Sequence, residues 1–163
     1  MGRALKAVEP ENLHVTLKFF AAVDPRLIPE IQAIAAKAVA QQIRGELALT
    51  GLGVFPHAQR PNVIWAGLEG AGVKSLIAFA EEIEGPLEKI GFVGADRPFT
   101  PHLTLARVKA RPPEEFHELL ARHPQTVFGT APVEKIELIR SEPGPEGSRY
   151  TVLGSCPLAE RAP

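Results

Sequence analysis

Two segments of the chain carry the same pair of chemically capable side chains. "LHVTL" places His14 two residues before Thr16, and "PHLTL" places His102 two residues before Thr104. Histidine changes its protonation near neutral pH, so a pair of imidazoles can supply a general base and a general acid at the same pH. Threonine hydroxyls can donate hydrogen bonds to the non-bridging oxygens of a phosphoryl group. The set therefore indicates in-line displacement at phosphorus between two histidines, a reaction that needs no metal.

The elements that must position these residues are predicted to be strands. Residues 12–20 and the segment "HLTLARV" combine alternating apolar residues with β-branched and aromatic types. Side chains alternate between the two faces of a strand, so each histidine shares a face with its threonine. In the first segment the opposite face, predicted to pack in the core, carries Val15, Leu17 and Phe19. The repeated histidine–threonine pattern suggests that the chain has two related halves, whose polar strand faces converge in a groove.

The rest of the chain is predicted to alternate between hairpins and a few helices. Helices are predicted from about Pro29 to Ile43, through "VKSLIAFAEEIEGPLEKIG", and in "PPEEFHELLARH", where Pro113 suits a first helical turn. "ELALTGLGVF" and "VIWAGLE" are predicted to form a hairpin with a long loop, and three further strands are predicted in "QTVFGT", "VEKIELIRS" and "SRYTVLGSC". This grouping favours an antiparallel α+β fold over a doubly wound parallel sheet.

The composition limits the classes of function. At 163 residues with a net charge of −1, the chain is one folding unit without the basic balance of a protein that coats nucleic acid. Any RNA is therefore expected to be held locally, by a few contacts around a site. There is no apolar run of about 18 residues and no apolar secretion signal at the N-terminus, so we predict a cytoplasmic protein without a membrane partner. The single cysteine excludes intramolecular disulfides and cysteine-rich zinc sites.

At the two histidine segments the sequence resembles the two-histidine (2H) phosphoesterases, and within them the RNA 2′,3′-cyclic phosphodiesterases, also called 2′-5′ RNA ligases. The resemblance extends over most of the chain. It includes "PENLHVTLKF", "GLGVFPHAQRPNVIWAGL", "FTPHLTLARV" and "IELIRSEPGPEGSRYTVL". The doubled histidine signature is specific to the superfamily, and the blocks between its two copies indicate the branch.

The resemblance implies a fold and an activity. The fold would be a single α+β domain over residues 1–163, made of two lobes in a bilobal pseudo-two-fold arrangement of antiparallel sheets with helices packed outside. The active site would lie in the central cleft and need no metal or other cofactor, with His14, Thr16, His102 and Thr104 as the catalytic tetrad. The family reaction opens an RNA 2′,3′-cyclic phosphate to a 2′-phosphomonoester, and members also join RNA ends through 2′-5′ linkages. His102 is assigned as the base and His14 as the acid, although the two roles could be exchanged.

Further residues are candidates for contact with the substrate, which would be an RNA end or a 2′,3′-cyclic nucleotide. Arg107 belongs to the "HLTLAR" block and is a candidate phosphate contact. Strict alternation from His102 would turn it to the opposite face, so a bulge or the end of the strand must reorient it. The other candidates for RNA contact are Lys18, Arg60, Phe55, Arg149 and Tyr150, with Arg140 and Trp65 in similar blocks.

The start of the chain departs from the family pattern. Proteins of this branch usually open with a strand and a helix before the "PENLH" block, and here 13 residues precede His14. We expect this unit to be missing, so that one lobe loses a strand and exposes an edge that invites strand exchange or dimerisation. The oligomeric state is left open.

Other kinds of site were weighed against the same residues. A zinc hydrolase could draw on five histidines, but His57, His117 and His123 show no metal-binding spacing and threonine is a poor zinc ligand. "GLEGAGVKS" suggests a phosphate-binding loop, but Val73 stands where a lysine should directly follow the second glycine. A non-catalytic module that binds RNA ends or nucleotides, with the histidines only hydrogen-bonding phosphate, stays open as the alternative.

Overall fold

The structure is a computed structural model that describes residues 4–42, 44–110, 115–144 and 147–160. These residues divide into two compact units: the first is drawn from residues 1–16, 46–73 and 101–131, and the second from residues 17–45, 74–100 and 132–163. In chain order the elements are β1 (Leu5–Ala7), α1 (Ile28–Val39), β2 (Gly45–Phe55), β3 (Val63–Glu69), α2 (Ala71–Lys89), β4 (His102–Val108), α3 (Glu115–Arg122), β5 (Val127–Val133), β6 (Lys135–Gly144) and β7 (Gly147–Pro157).

The structure contains two sheets with antiparallel strand pairs, and these confirm the predicted α+β class. A five-stranded sheet has the order β1-β4-β3-β2-β5, and β6 and β7 form a separate two-stranded sheet. The pairs β1–β4, β4–β3 and β3–β2 are antiparallel, as is β6–β7. The predicted hairpins "ELALTGLGVF"/"VIWAGLE" and "VEKIELIRS"/"SRYTVLGSC" therefore both form. Whether the two units are related by a pseudo-two-fold axis stays a prediction.

The first unit packs one face of its sheet against α3. Ile64 of β3, Ala106 of β4 and Phe116 of α3 form a buried cluster. The partly buried residues Leu5, Val54, Val108 and Leu120 pack around it. Side chains alternate along β3, so Val63, Trp65 and Gly67 lie on the face opposite Ile64, together with the β4 residues that pair with them. That opposite face carries the candidate site residues His102 and Thr104.

Gly51 shapes the second strand of this sheet. It has φ of 60°, a left-handed conformation that favours glycine, and the register of β2 against β3 shifts between Thr50 and Leu52. The backbone N–H of Gly51 donates to the carbonyl of Thr126 at 3.0 Å, and that of Leu52 donates to the carbonyl of His123 at 2.9 Å. The irregularity thus ties the centre of β2 to the chain that leads from α3 into β5.

The second unit is built around the β6–β7 hairpin and two helices. The Gln32 amide on α1 donates to the carbonyl of Leu153 on β7 at 2.7 Å. Gly154 allows this approach, because a side chain there would collide with the Gln32 side chain. The buried residues of α2 recur at helical spacing, as the sequence pattern predicted: Leu76, Phe79, Ala80, Ile83 and Leu87. No helix among the described residues is long and apolar enough to cross a membrane.

The predicted strand over residues 12–20 is wrong. Pro10–Asn12 form a short 3₁₀ helix, and residues 13–20 belong to no strand. A strand needs a partner for its backbone groups, and no strand in the described part of the chain pairs with these residues. The core face predicted for this segment is only partly correct, because Val15 and Leu17 are half-buried whereas Phe19 is 75% exposed.

Other differences lie at the ends of elements. The first helix ends at Val39, and the predicted end at Ile43 lies outside the described residues. The third helix is described from Glu115, so the predicted role of Pro113 also lies outside them. The strand β1 was not predicted, since three residues are too few to show a period.

Lys18 anchors the irregular segment that follows Thr16. Its ammonium donates to both carboxylate oxygens of Glu84 on α2, at 2.8 and 2.7 Å, and to the carbonyl of Val93 at 3.1 Å. The backbone N–H of Ala95 donates to the same carboxylate at 2.9 Å. The side chains of Lys18 and Glu84 are only 13% and 24% exposed. The pair therefore joins three segments of the second unit around one partly buried charge pair.

Phe116→Ala should be one of the costliest substitutions in the first unit. The ring is fully buried, so its removal leaves a cavity and should lower the free energy of unfolding by about 3–5 kcal/mol. Phe128→Ala is the matched control in the same unit, because Phe128 is 48% exposed, and should cost less than about 1.5 kcal/mol. Urea unfolding followed by circular dichroism measures both. Equal costs for the two variants would contradict the position of the core.

Lys18→Met should destabilise the protein by about 1–3 kcal/mol, because it removes a charged hydrogen-bond donor from a partly buried carboxylate. Glu84→Gln should cost a similar amount, and the double variant should cost less than the sum of the two single changes. Chemical unfolding of the four proteins of this cycle gives the coupling free energy. Lys37→Met, at an exposed position of α1, is the control and should be nearly neutral. Additive effects of the two changes would contradict the anchoring role.

Candidate active site

Strand β4 presents the second histidine and threonine on the face of the sheet that turns away from the buried cluster. His102 pairs with Gly67 and Thr104 pairs with Trp65 of β3. Directly paired residues of antiparallel strands lie on the same face. The predicted arrangement of an imidazole beside a hydroxyl is thus present on β4, where both side chains are half-buried.

A bulge at Leu105 turns Arg107 to this same face. Thr104 pairs with Trp65, but the next pair is Ala106 with Ile64, so Leu105 has no partner on β3. The extra residue reverses the alternation. Ala106 enters the buried cluster, and Arg107 pairs with Val63, which shares its face with Trp65. The bulge required by the sequence analysis is present, and the guanidinium-bearing residue lies in the row next to Thr104.

Aromatic rings surround His102. The ring centroid of Phe55 lies 5.1 Å from that of His102 with the planes at 78°, and the Trp65 ring lies 6.2 Å from the imidazole. Phe55 and Trp65 also contact each other, with centroids 5.2 Å apart. Phe55 belongs to β2 and His102 to β4, and the two rings meet across β3, so this face of the sheet is concave. The aromatic pair fixes the position of the imidazole by packing.

Trp65 is accommodated by a glycine on the neighbouring strand. It pairs with Gly53, and a side chain at Gly53 would collide with the indole ring. The indole therefore lies flat over the β2 backbone. Its Nε1 is buried and has no hydrogen-bond partner in the part of the chain that the structure describes. Phe55 and Trp65 were predicted as candidates for RNA contact, and in the structure both rings pack against the candidate catalytic side chain of His102.

His14 is oriented by a backbone carbonyl. Its Nδ1 lies 2.7 Å from the carbonyl oxygen of Asn12. A carbonyl oxygen can only accept a hydrogen bond, so Nδ1 is the donor in this contact and carries the proton. The imidazole is exposed, as a group that meets substrate must be. Sequence reasoning missed Asn12, and no residue type could have indicated it, because the contact is made by the main chain.

The chain leaves strand β1 in the direction of the end of β4 that carries His102 and Thr104. The register pairs Ala7 with Ala106, and the Val8 N–H donates to the Leu105 carbonyl at 2.8 Å. Since the two strands are antiparallel, the chain leaves β1 in the direction of Thr104 and His102. The 3₁₀ turn then carries it to His14. The four residues of the predicted tetrad all belong to the first unit.

The remaining candidates lie elsewhere in the chain. Arg60 is exposed in the loop between β2 and β3, where its N–H donates to the carbonyl of His57 at 3.2 Å. Arg149 is exposed and Tyr150 half-buried on β7, in the second unit. Lys18 also belongs to the second unit and is held by Glu84. Contact of these four residues with RNA stays a prediction.

Within residues 4–42, 44–110, 115–144 and 147–160, no group of three histidine, cysteine or carboxylate side chains lies close enough to hold a metal ion.

Comparison with known proteins shows the family of the chain. The model of the 2′-5′ RNA ligase superfamily matches residues 3–145. Over 153 residues the chain is 36% identical to an RNA 2′,3′-cyclic phosphodiesterase of Aeropyrum pernix, covering 93% of this chain and 85% of the relative. An RNA 2′,3′-cyclic phosphodiesterase of Thermus thermophilus is also 36% identical, over 93% of this chain and 74% of the relative.

Solved structures share the fold. A crystal structure of a Thermus thermophilus protein matches with a TM-score of 0.81 and 33% identity, over 98% of this chain and 85% of that one. Escherichia coli LigT complexed with 3′-AMP matches with a TM-score of 0.72 and 26% identity, over 95% of this chain and 82% of that one. The family predicted from the two histidine segments is confirmed: the chain belongs to the 2′-5′ RNA ligase superfamily.

Proposed function

We propose that this protein is an RNA 2′,3′-cyclic phosphodiesterase that hydrolyses cyclic phosphate ends to 2′-phosphomonoesters by general acid and base catalysis with two histidines. Relatives that bear this name cover more than nine-tenths of the chain. The same site supports 2′-5′ ligation as a second reaction, in which an RNA 5′-hydroxyl takes the place of water. An enzyme that acts on RNA ends is expected to work in the cytoplasm.

The single observation that carries the proposal is the bulge at Leu105. It brings Arg107 to the face that holds His102 and Thr104. A guanidinium and a hydroxyl both donate hydrogen bonds, and a neutral imidazole can accept a proton. Together they offer one site for a phosphoryl group and for the water that attacks it. Packing of the core alone does not require an arginine on the same face as His102 and Thr104.

The proposed reaction divides the proton transfers between the two histidines. His102 removes a proton from water as the water oxygen bonds to phosphorus. The bond between phosphorus and O3′ breaks, and His14 gives a proton from Nε2 to the departing O3′. The phosphoryl group stays on O2′ as a monoester. Thr16, Thr104 and Arg107 donate to the non-bridging oxygens, where negative charge builds up in the transition state.

The contact between His14 and Asn12 suits the acid role. When Nε2 is protonated, the imidazolium keeps its Nδ1–H on the Asn12 carbonyl, and after proton transfer the neutral tautomer keeps the same contact. The ring therefore need not rotate during the reaction. Escherichia coli LigT, which shares the fold, binds 3′-AMP, a nucleotide with phosphate at the ribose position at which this reaction takes place.

His14→Ala and His102→Ala should each lower kcat/KM for a 2′,3′-cyclic nucleotide by at least about a hundredfold, because each removes one proton-transfer group. Turnover by the wild-type protein should be unchanged by EDTA. His117→Ala is the matched control, since His117 is exposed on α3, behind the opposite face of the sheet, and it should keep full activity. Release of the 2′-phosphomonoester, resolved by chromatography, is the measurement.

Two outcomes of this experiment would refute the mechanism. Loss of turnover in EDTA would indicate a metal-dependent hydrolase. Turnover that survives both histidine substitutions would place the chemistry elsewhere. Binding of RNA ends without turnover would instead support the non-catalytic module.

The pH dependence of kcat/KM should be bell-shaped. At low pH the base takes up a proton and cannot activate water, and at high pH the acid loses the proton that the leaving O3′ needs. Initial rates with a cyclic mononucleotide across the pH range test this. A profile with a single limb would show that only one titrating group controls the reaction, and would contradict the paired mechanism.

A further inference from the structure

The concave face of the sheet extends beyond the tetrad to the edge strand β1. Lys6 pairs with Arg107, while its neighbours Leu5 and Ala7 pair with Val108 and Ala106. Leu5 and Val108 pack against the buried cluster, and Ala106 belongs to it. Lys6 therefore lies on the same face as Arg107, and both residues are exposed.

The two basic residues form a row beside the row of Thr104. Thr104 pairs with Trp65 and Arg107 pairs with Val63, so the two rows are two residues of β3 apart, about 6.7 Å along the strand. This separation resembles that of consecutive phosphates in a single RNA strand.

We propose that Lys6, beside the Arg107 that serves the terminal phosphate, forms a second phosphate subsite that binds the phosphodiester on the 5′ side of the terminal nucleotide. The enzyme would then act on oligonucleotide ends in preference to cyclic mononucleotides with a free 5′-hydroxyl. The inference rests on the proposed function, because it takes the terminal phosphate to lie at His102 and Thr104. It assigns a role in substrate selection to a strand of three residues.

Equilibrium binding tests the subsite without requiring turnover. Isothermal titration compares the 3′-phosphorylated dinucleotide ApAp with 3′-AMP, which lacks the upstream phosphodiester. Lys6→Gln should weaken binding of ApAp about fivefold, the effect of one partly exposed charge contact, and leave binding of 3′-AMP unchanged. Its salt dependence for ApAp should also fall, with the slope of log affinity against log salt concentration smaller by about 0.7.

Two further variants serve as controls. Lys6→Arg keeps the charge and should keep the affinity for ApAp. Arg122→Gln removes a positive charge from α3, behind the opposite face of the sheet, and should change neither affinity. Equal weakening of both ligands by Lys6→Gln, or no weakening of either, would overturn the subsite.

Turnover separates this inference from the proposed function. ApA ending in a 2′,3′-cyclic phosphate and 2′,3′-cyclic AMP are compared as substrates of the wild-type and Lys6→Gln proteins. If neither substrate is hydrolysed by the wild-type protein, the proposed function fails, and the binding experiment still decides on the subsite. If both are hydrolysed and Lys6→Gln lowers kcat/KM for both equally, the proposed function stands and the subsite is rejected.

Discussion

The pairing of β4 with its two neighbours is the constraint on which the first unit depends. On one side the pairing with β3 contains the bulge at Leu105, and on the other the regular pairing with β1 fixes the direction in which the chain approaches His14. The same backbone contacts bury Ala106 against Phe116 and leave Arg107 on the concave face. The register of β4 against β3 thus decides both that Ala106 is buried and that Arg107 lies on the face of the candidate site. A change of register would move both side chains.

Much of this fold could be predicted from the sequence because its patterns are long. The bounds of β3 and β4 follow from "VIWAGLE" and "HLTLARV", and α2 follows from apolar residues at helical spacing. The segment after Asn12 could not be predicted in the same way. Its composition is that of a strand, but a strand also needs a partner, and partners are a property of the whole chain. Within the described residues that partner is not present for residues 13–20.

The candidate site, too, has a part that could be predicted from the sequence and a part that could not. Residue types and the repeated spacing are enough to propose His14, Thr16, His102 and Thr104 as candidates, because the chemistry of a side chain follows from its residue type. The bulge, the packing of Phe55 and Trp65 on His102, and the row of Lys6 and Arg107 depend on register between strands. The ion pair between Lys18 and Glu84 likewise depends on the fold, and the predicted contact of Lys18 with RNA stays a prediction.

The Asn12 carbonyl that receives the Nδ1–H of His14 belongs to the main chain. Every amino acid carries such a carbonyl, so drift in side-chain identity at position 12 cannot abolish the acceptor. What must be preserved is the path of the 3₁₀ turn that aims it, and Pro10, with its fixed φ, stiffens that turn at its first residue. The proton position of a candidate catalytic residue therefore depends on the path of the backbone and not on the side chain at position 12.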